Sequence, residues 1–200
     1  FGAGFNPPNG KHGWFLERAN PDELRNWLGV FGKGRQSLAF SKHNLAAFPR
    51  ALEEFSETAH LNLANNAIQR LPPWLPKMYS LRELDLSKNP IPVLGPQISE
   101  LYFLRDLALN FSGVRDIKGL AKAPSVERLG LHGCLQLGED QLRYLPQGII
   151  DLDLGGMHHL GPSFFGYGFT LSLLICVLLG LTRLSTALDD LEYETFMLSR

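Results

Sequence analysis

The sequence is poor in the features that mark several functional classes. Only two cysteines occur in 200 residues, Cys134 and Cys176. Both fall where the surrounding pattern is apolar, so no disulfide framework is implied. Excess charge is missing as well: a formal net charge of -1 gives no global attraction to nucleic acid or to anionic lipid. The glycines around Gly2, Gly4 and Gly10-Lys11 do not form a phosphate-binding loop, because the Gly-x-x-x-x-Gly-Lys-Ser/Thr pattern and a preceding strand are both lacking. No basic start followed by an apolar run is present, so no secretory signal is visible. The first residue is Phe1 rather than Met, which reads as a fragment, a processed product or a trimmed chain.

Leucine spacing is what the chain has in abundance. Leu61, Leu63, Asn66, Ile68 and Leu71 are followed, 23 residues on at every position, by Leu84, Leu86, Asn89, Ile91 and Leu94. The same template fits Leu38, Phe40, Leu45 and Phe48 before this pair, and Leu107, Leu109, Val114 and Ile117 after it. Two further copies begin at Leu129 and Leu152, so the first leucines stand at 38, 61, 84, 107, 129 and 152. One Leu-x-Leu would mean little, since alternation occurs in any half-buried strand. Six copies in register define a repeat.

Side chains alternate along a strand, so each Leu-x-Leu pair sends both leucines to one side of a short strand. Stacked units then make a parallel sheet backed by leucine. The chain returns through a half rich in proline, at Pro49, Pro72, Pro76, Pro92, Pro96 and Pro146, which disfavours regular helix and suits extended or 3₁₀ turns. No unit buries its apolar wedge alone, and stability comes from neighbours. The position three residues after the second leucine sits in a tight buried turn, where an amide has both donors and an acceptor for backbone groups. Asn66 and Asn89 fit, His43, Ser112 and Cys134 substitute, and Met157 has only a weak acceptor, so the ladder decays toward residue 157.

This pattern resembles the leucine-rich repeat family, whose signature is L-x-x-L-x-L-x-x-N/C-x-L at a period of 20 to 29 residues, over about 125 of the 200 residues. The expected fold is α/β: a right-handed leucine-rich repeat solenoid with a parallel β-sheet on its concave face. An N-terminal helical cap and an apolar C-terminal segment complete it. Residues 1–36 form an irregular lead-in and capping helix, 37–160 the repeats, and 161–200 an apolar segment with a short tail. The capping helix starts where Asn20 caps, Pro21 takes the first helical position and Glu23 closes a capping box, and Leu24, Trp27, Leu28 and Phe31 form its apolar face.

For function, the resemblance implies non-catalytic protein recognition through the concave face. The outward strand positions are then the candidate binding residues: His60, Asn62, Glu83, Asp85, Asp106, Arg128, His132, Asp151 and Asp153. Five carboxylates against Arg128 suit a partner with a basic surface, and neutralising Glu83, Asp85 and Asp106 is expected to weaken a basic peptide. No residue set nominates an enzyme, a cofactor or a metal: His158-His159 lacks accompanying zinc-type spacing, and the Asn110-Phe111-Ser112 sequon reads as coincidental. Extracellular members of the family are often capped by clustered disulfides, and the shortage of cysteine here therefore points to an intracellular protein, cytoplasmic or on an intracellular membrane.

After Leu160 the template stops. Residues 163–181 form a run of 19 without a charge, roughly 28 Å as a helix against a hydrocarbon core of about 30 Å. Three readings stay open: a membrane span, a buried closing segment, or a C-terminus that is not native. The first makes the chain a membrane-anchored scaffold subunit, the alternative to a free recognition module. In each, the sixth unit is left with an open edge.

Overall fold

The computed structural model describes residues 13–28, 36–157 and 183–184. Two short helices, α1 (Gly13–Arg18) and α2 (Pro21–Leu28), precede seven strands: β1 (Ser37–Ala39), β2 (His60–Asn62), β3 (Glu83–Asp85), β4 (Asp106–Ala108), β5 (Arg128–Gly130), β6 (Asp151–Asp153) and β7 (Arg183–Leu184). All neighbours pair in parallel, in chain order. The register is the sequence template itself, with Leu38 opposite Leu61, Leu61 opposite Leu84, Leu84 opposite Leu107, Leu107 opposite Leu129 and Leu129 opposite Leu152.

A three-residue strand cannot hold itself together, so the sheet exists because its leucines are buried in one continuous core. The central strand leucines are at most 2% exposed, and Phe40, Leu63, Leu86, Leu109 and Leu131 behind them are fully buried. Leu154, the same position in the sixth unit, is only partly buried. Each return half is a 3₁₀ turn, at Arg50–Glu54, Leu75–Lys77, Pro96–Glu100, Lys118–Leu120 and Glu139–Tyr144. Short i-to-i+3 turns are what fits between rungs spaced by one strand separation, about 4.8 Å.

The inward turn after each strand needs one residue in the left-handed region. Lys42, Asn65, Lys88, Phe111, Gly133 and Gly156 hold it in successive units, with φ between 56° and 71°. The next position carries the amide. Asn66 Oδ1 accepts from the His43 and Leu45 N–H groups, each at 3.0 Å, while its Nδ2 donates to the Phe40 and Leu63 carbonyls, each at 2.8 Å. Asn89 repeats the arrangement one rung on, accepting from Ile68 N at 3.0 Å and donating to Leu63 O and Leu86 O. Where Cys134 replaces the amide, its thiol donates to Leu109 O at 3.1 Å.

The N-terminal cap follows the expected capping box, with Asn20 N donating to Glu23 Oε2 and Glu23 N to Asn20 Oδ1, both at 2.9 Å. A further helix, α1, lies in a stretch where the sequence reading gave no element. Leu16 and Ala19 are buried against the stack, and Glu17 Oε1 accepts from the backbone N–H groups of Ala46 and Ala47 in the first unit. Phe31, expected on the apolar face of the cap, lies outside the described residues.

The open edge expected after the sixth unit is corrected by β7. Arg183–Leu184 pair with β6, Asp151 opposite Arg183 and Leu152 opposite Leu184, so the charged-residue-then-leucine order of Arg128-Leu129 recurs beyond residue 160 and gives the edge backbone groups of β6 partners. The uncharged run 163–181, Cys176, His158-His159 and the tail lie outside the described residues. Among the described residues no helix is long and apolar enough to cross a membrane.

Candidate functional site

The polar residues that flank each strand leucine line an open groove of about 560 Å³ running from β1 to β6. Register places His60, Glu83, Asp106, Arg128 and Asp151 in one column, and Asn62, Asp85 and Asp153 in the other together with Ala39, Ala108 and Gly130. Eight of the nine candidate residues line this groove, and His132 stands just past the end of β5 at its margin.

The two columns do different work. In the second, Asn62 Oδ1 accepts from Ala64 N, Asp85 Oδ1 from Ser87 N, and Asp153 Oδ1 from Gly155 N, each at 2.9 Å. These side chains hold the turn that leaves the strand, a local bond that Asx residues make readily. In the first column, side-chain contacts run from strand to strand. His60 Nδ1 lies 2.8 Å from Glu83 Oε2, and Arg128 makes a two-pronged pair with Asp106. Hydrogen bonding to Asp106, then its charge, raises the Arg128 pKa above its ordinary value, so this guanidinium is a fixed cation. His132 Nδ1 sits 3.4 Å from Asp153 Oδ1. The five carboxylates are thus partly answered from within, because parallel register sets His60 and Arg128 on rungs adjacent to Glu83 and Asp106.

His60 and His132 contact carboxylates on neighbouring strands and do not meet each other, and no nucleophile accompanies either. Among the described residues no group of three His, Cys, Asp or Glu side chains has the arrangement of a metal site. Cys134 is fully buried, and burial pushes its thiol pKa above the ordinary value, which removes it as a nucleophile. In the sequon, Ser112 is buried with its Oγ 3.5 Å from Cys134 Sγ, and Asn110 Oδ1 accepts from His132 N at 3.0 Å. Phe111 was not singled out by spacing for any role. Its half-exposed ring stands 5.0 Å from the His132 ring and 5.6 Å from Lys88 Nζ, over the left-handed Gly133, where a Cβ would drive into the Phe111 ring.

Residues 80–104, which hold β3 and the Pro96–Glu100 turn, match the family model described as Leucine Rich Repeat. The fold of the chain is that of a leucine-rich repeat solenoid. Among solved structures, the chain is similar to a leucine-rich repeat protein of Leptospira interrogans, with 19% identity and a TM-score of 0.50 over 68% of this chain and 39% of that one. It is also similar to an internalin of Listeria monocytogenes, with 14% identity and a TM-score of 0.48 over 70% of this chain and 47% of that one. The plant peptide hormone receptor RGFR1 in complex with RGF2 has 20% identity and a TM-score of 0.49, over 59% of this chain and 20% of the receptor. The chain therefore spans less than half of each of these proteins. No curated protein matches it. Identities this low speak for the fold alone. Leucine-rich repeat families are typically non-enzymatic interaction modules, and a fold of this kind suggests that class of work.

Proposed function

We propose that the chain is a non-catalytic recognition module that holds a protein partner in its concave groove, and that the partner presents a basic surface. The observation that carries this reading is the groove itself: it is open along six strands, is lined by the small residues Ala39, Ala108 and Gly130 among the polar ones, and sets five carboxylates against one guanidinium. A partner's lysine or arginine gains most at Asp85, Asp151 and Asp153. Asp106 is already committed to Arg128, and neutralising it would strand that cation, so it is a poor test position.

Replacement of Asp85, Asp151 and Asp153 by Asn removes charge while keeping the oxygen acceptor that Asp85 and Asp153 offer to the turn, as Asn62 already does in β2. Fluorescence anisotropy with a labelled Lys- and Arg-rich peptide is the measurement. The triple variant is expected to bind about tenfold or more weakly, with a flatter salt dependence, at an unchanged melting temperature. Equal affinity in the two proteins would remove the groove as the basic partner's seat. An intracellular setting belongs to the same proposal, and the buried free thiol of Cys134 is in keeping with a reducing compartment.

A further inference from the structure

We infer a second docking surface, on the flank of the sheet where the chain enters β3 and β4, which takes an acidic protein segment bearing an apolar side chain. It is independent of the groove. Tyr79 and Tyr102 occupy one template position 23 residues apart, and Phe103 follows directly. All three are solvent-facing, at 57%, 67% and 60% exposure, although Leu101 and Leu104 on either side of the second pair are at most 1% exposed. Most of the surface of each residue therefore faces solvent instead of filling the core. Neighbouring units carry Ser56, Pro124 and Gln147 at the tyrosine position, so the aromatic group is confined to two rungs.

Cations stand on the same two rungs. Arg82 and Arg105 are template equivalents, and Arg105 N donates to Arg82 O at 2.8 Å, which sets the two residues side by side at about one strand spacing of 4.8 Å. Arg82 has no ion pair among the described residues, and the Arg105 guanidinium lies 3.9 Å from Glu127 at 60% side-chain exposure. The equivalent residue in the other units is Gln36, Ala59, Glu127 or Ile150. Aromatic rings and arginines together are what supply most of the binding energy where they become buried in interfaces. Two guanidinium forks one rung apart match a pair of carboxylates, each by a bidentate bond, while the rings cover an aliphatic or aromatic side chain between them. A nucleic-acid strand fits less well, because a continuous phosphate chain needs a longer line of cations, and the template position on the flanking rungs holds Ala59 and Glu127.

The test uses the full chain and three fluorescent probes: a short peptide alternating Glu and Leu, its counterpart with Lys for Glu, and an oligouridylate. Two double variants are compared with the parent, Arg82→Gln with Arg105→Gln, and Tyr102→Ser with Phe103→Ser. Exposed positions tolerate both pairs, and matching circular dichroism and melting temperature establish that each folds. The acidic peptide is expected to bind the parent and to lose about tenfold or more in affinity with either double variant. The triple Asn variant of the groove is expected to keep it. Equal binding of the acidic peptide by parent and both double variants would overturn the inference. So would preference of the same side chains for the lysine peptide, or displacement of the acidic peptide by oligouridylate, which would mark a nucleic-acid surface instead.

Discussion

At the middle of the stack one amide side chain ties together two repeats. Asn89 is 1% exposed, accepts from Ile68 N and donates to Leu63 O on the preceding unit, and donates to Leu86 O on its own. Replacing it with leucine fills the volume but leaves buried backbone groups without partners. The expected loss is about 2–4 kcal/mol, read as a lower urea midpoint at unchanged slope. A loss under half a kcal/mol would mean that the neighbouring backbone re-pairs without the amide. The role of Asn66 and Asn89 was legible in the sequence, since an amide is one of few side chains able to donate and accept in a dry turn. The left-handed residue just before it was not, because Lys42, Lys88 and Phe111 carry no glycine or asparagine signal, and only the repeat geometry forces them to φ near 56–62°.

At the scale of elements, the return turns pack as closely as the strands do. Gly119 shows this most clearly: a Cβ there would run into the carbonyl oxygens of Leu94 and Gly95 in the turn below. Gly119→Ala is expected to push the Pro96–Glu100 and Lys118–Leu120 turns apart and to cost about 1–3 kcal/mol, seen as a lower melting temperature. An unshifted melting curve would mean that the turns separate freely. The alternation of leucine and the run of prolines announced strands and 3₁₀ turns with correct register, because one residue of slip would send every leucine to solvent. By contrast α1 was hidden. Six residues hold too little periodicity to declare a helix, and what fixes this one is remote, the grip of Glu17 on the backbone at Ala46 and Ala47.

Over the whole molecule, the position of the groove followed from the repeat, whereas its charge balance did not. Spacing gives columns, but only side-chain geometry reveals that Asp106 closes on Arg128 and Glu83 on His60. The same is true of the aromatic flank, whose rings look from sequence like any apolar residues beside a leucine. Burial also makes Cys134 a reporter on the stack as a whole. The folded thiol holds its proton above the ordinary value of 9.0, so this contribution to stability is complete at lower pH and is lost as pH rises through the higher folded value. Labelling of Cys134 by a thiol reagent, followed by peptide mass mapping to separate it from Cys176, is therefore expected to proceed only at the rate of global opening and to quicken above pH 9 by more than thiolate chemistry alone gives. Fast labelling of native protein at neutral pH would mean a local breach between the fourth and fifth units.

The in-register pitch of 23 residues, with a single step of 22 between Leu107 and Leu129, has a consequence for how such a chain changes over evolutionary time. Each rung offers its neighbours the same leucine shelf above and below, so duplication or loss of one whole period preserves the leucine stacking of the rungs that remain. Length of the groove can then vary by copy number while its chemistry varies by substitution at the outward positions. Two properties that are coupled in most globular proteins are here free to drift separately.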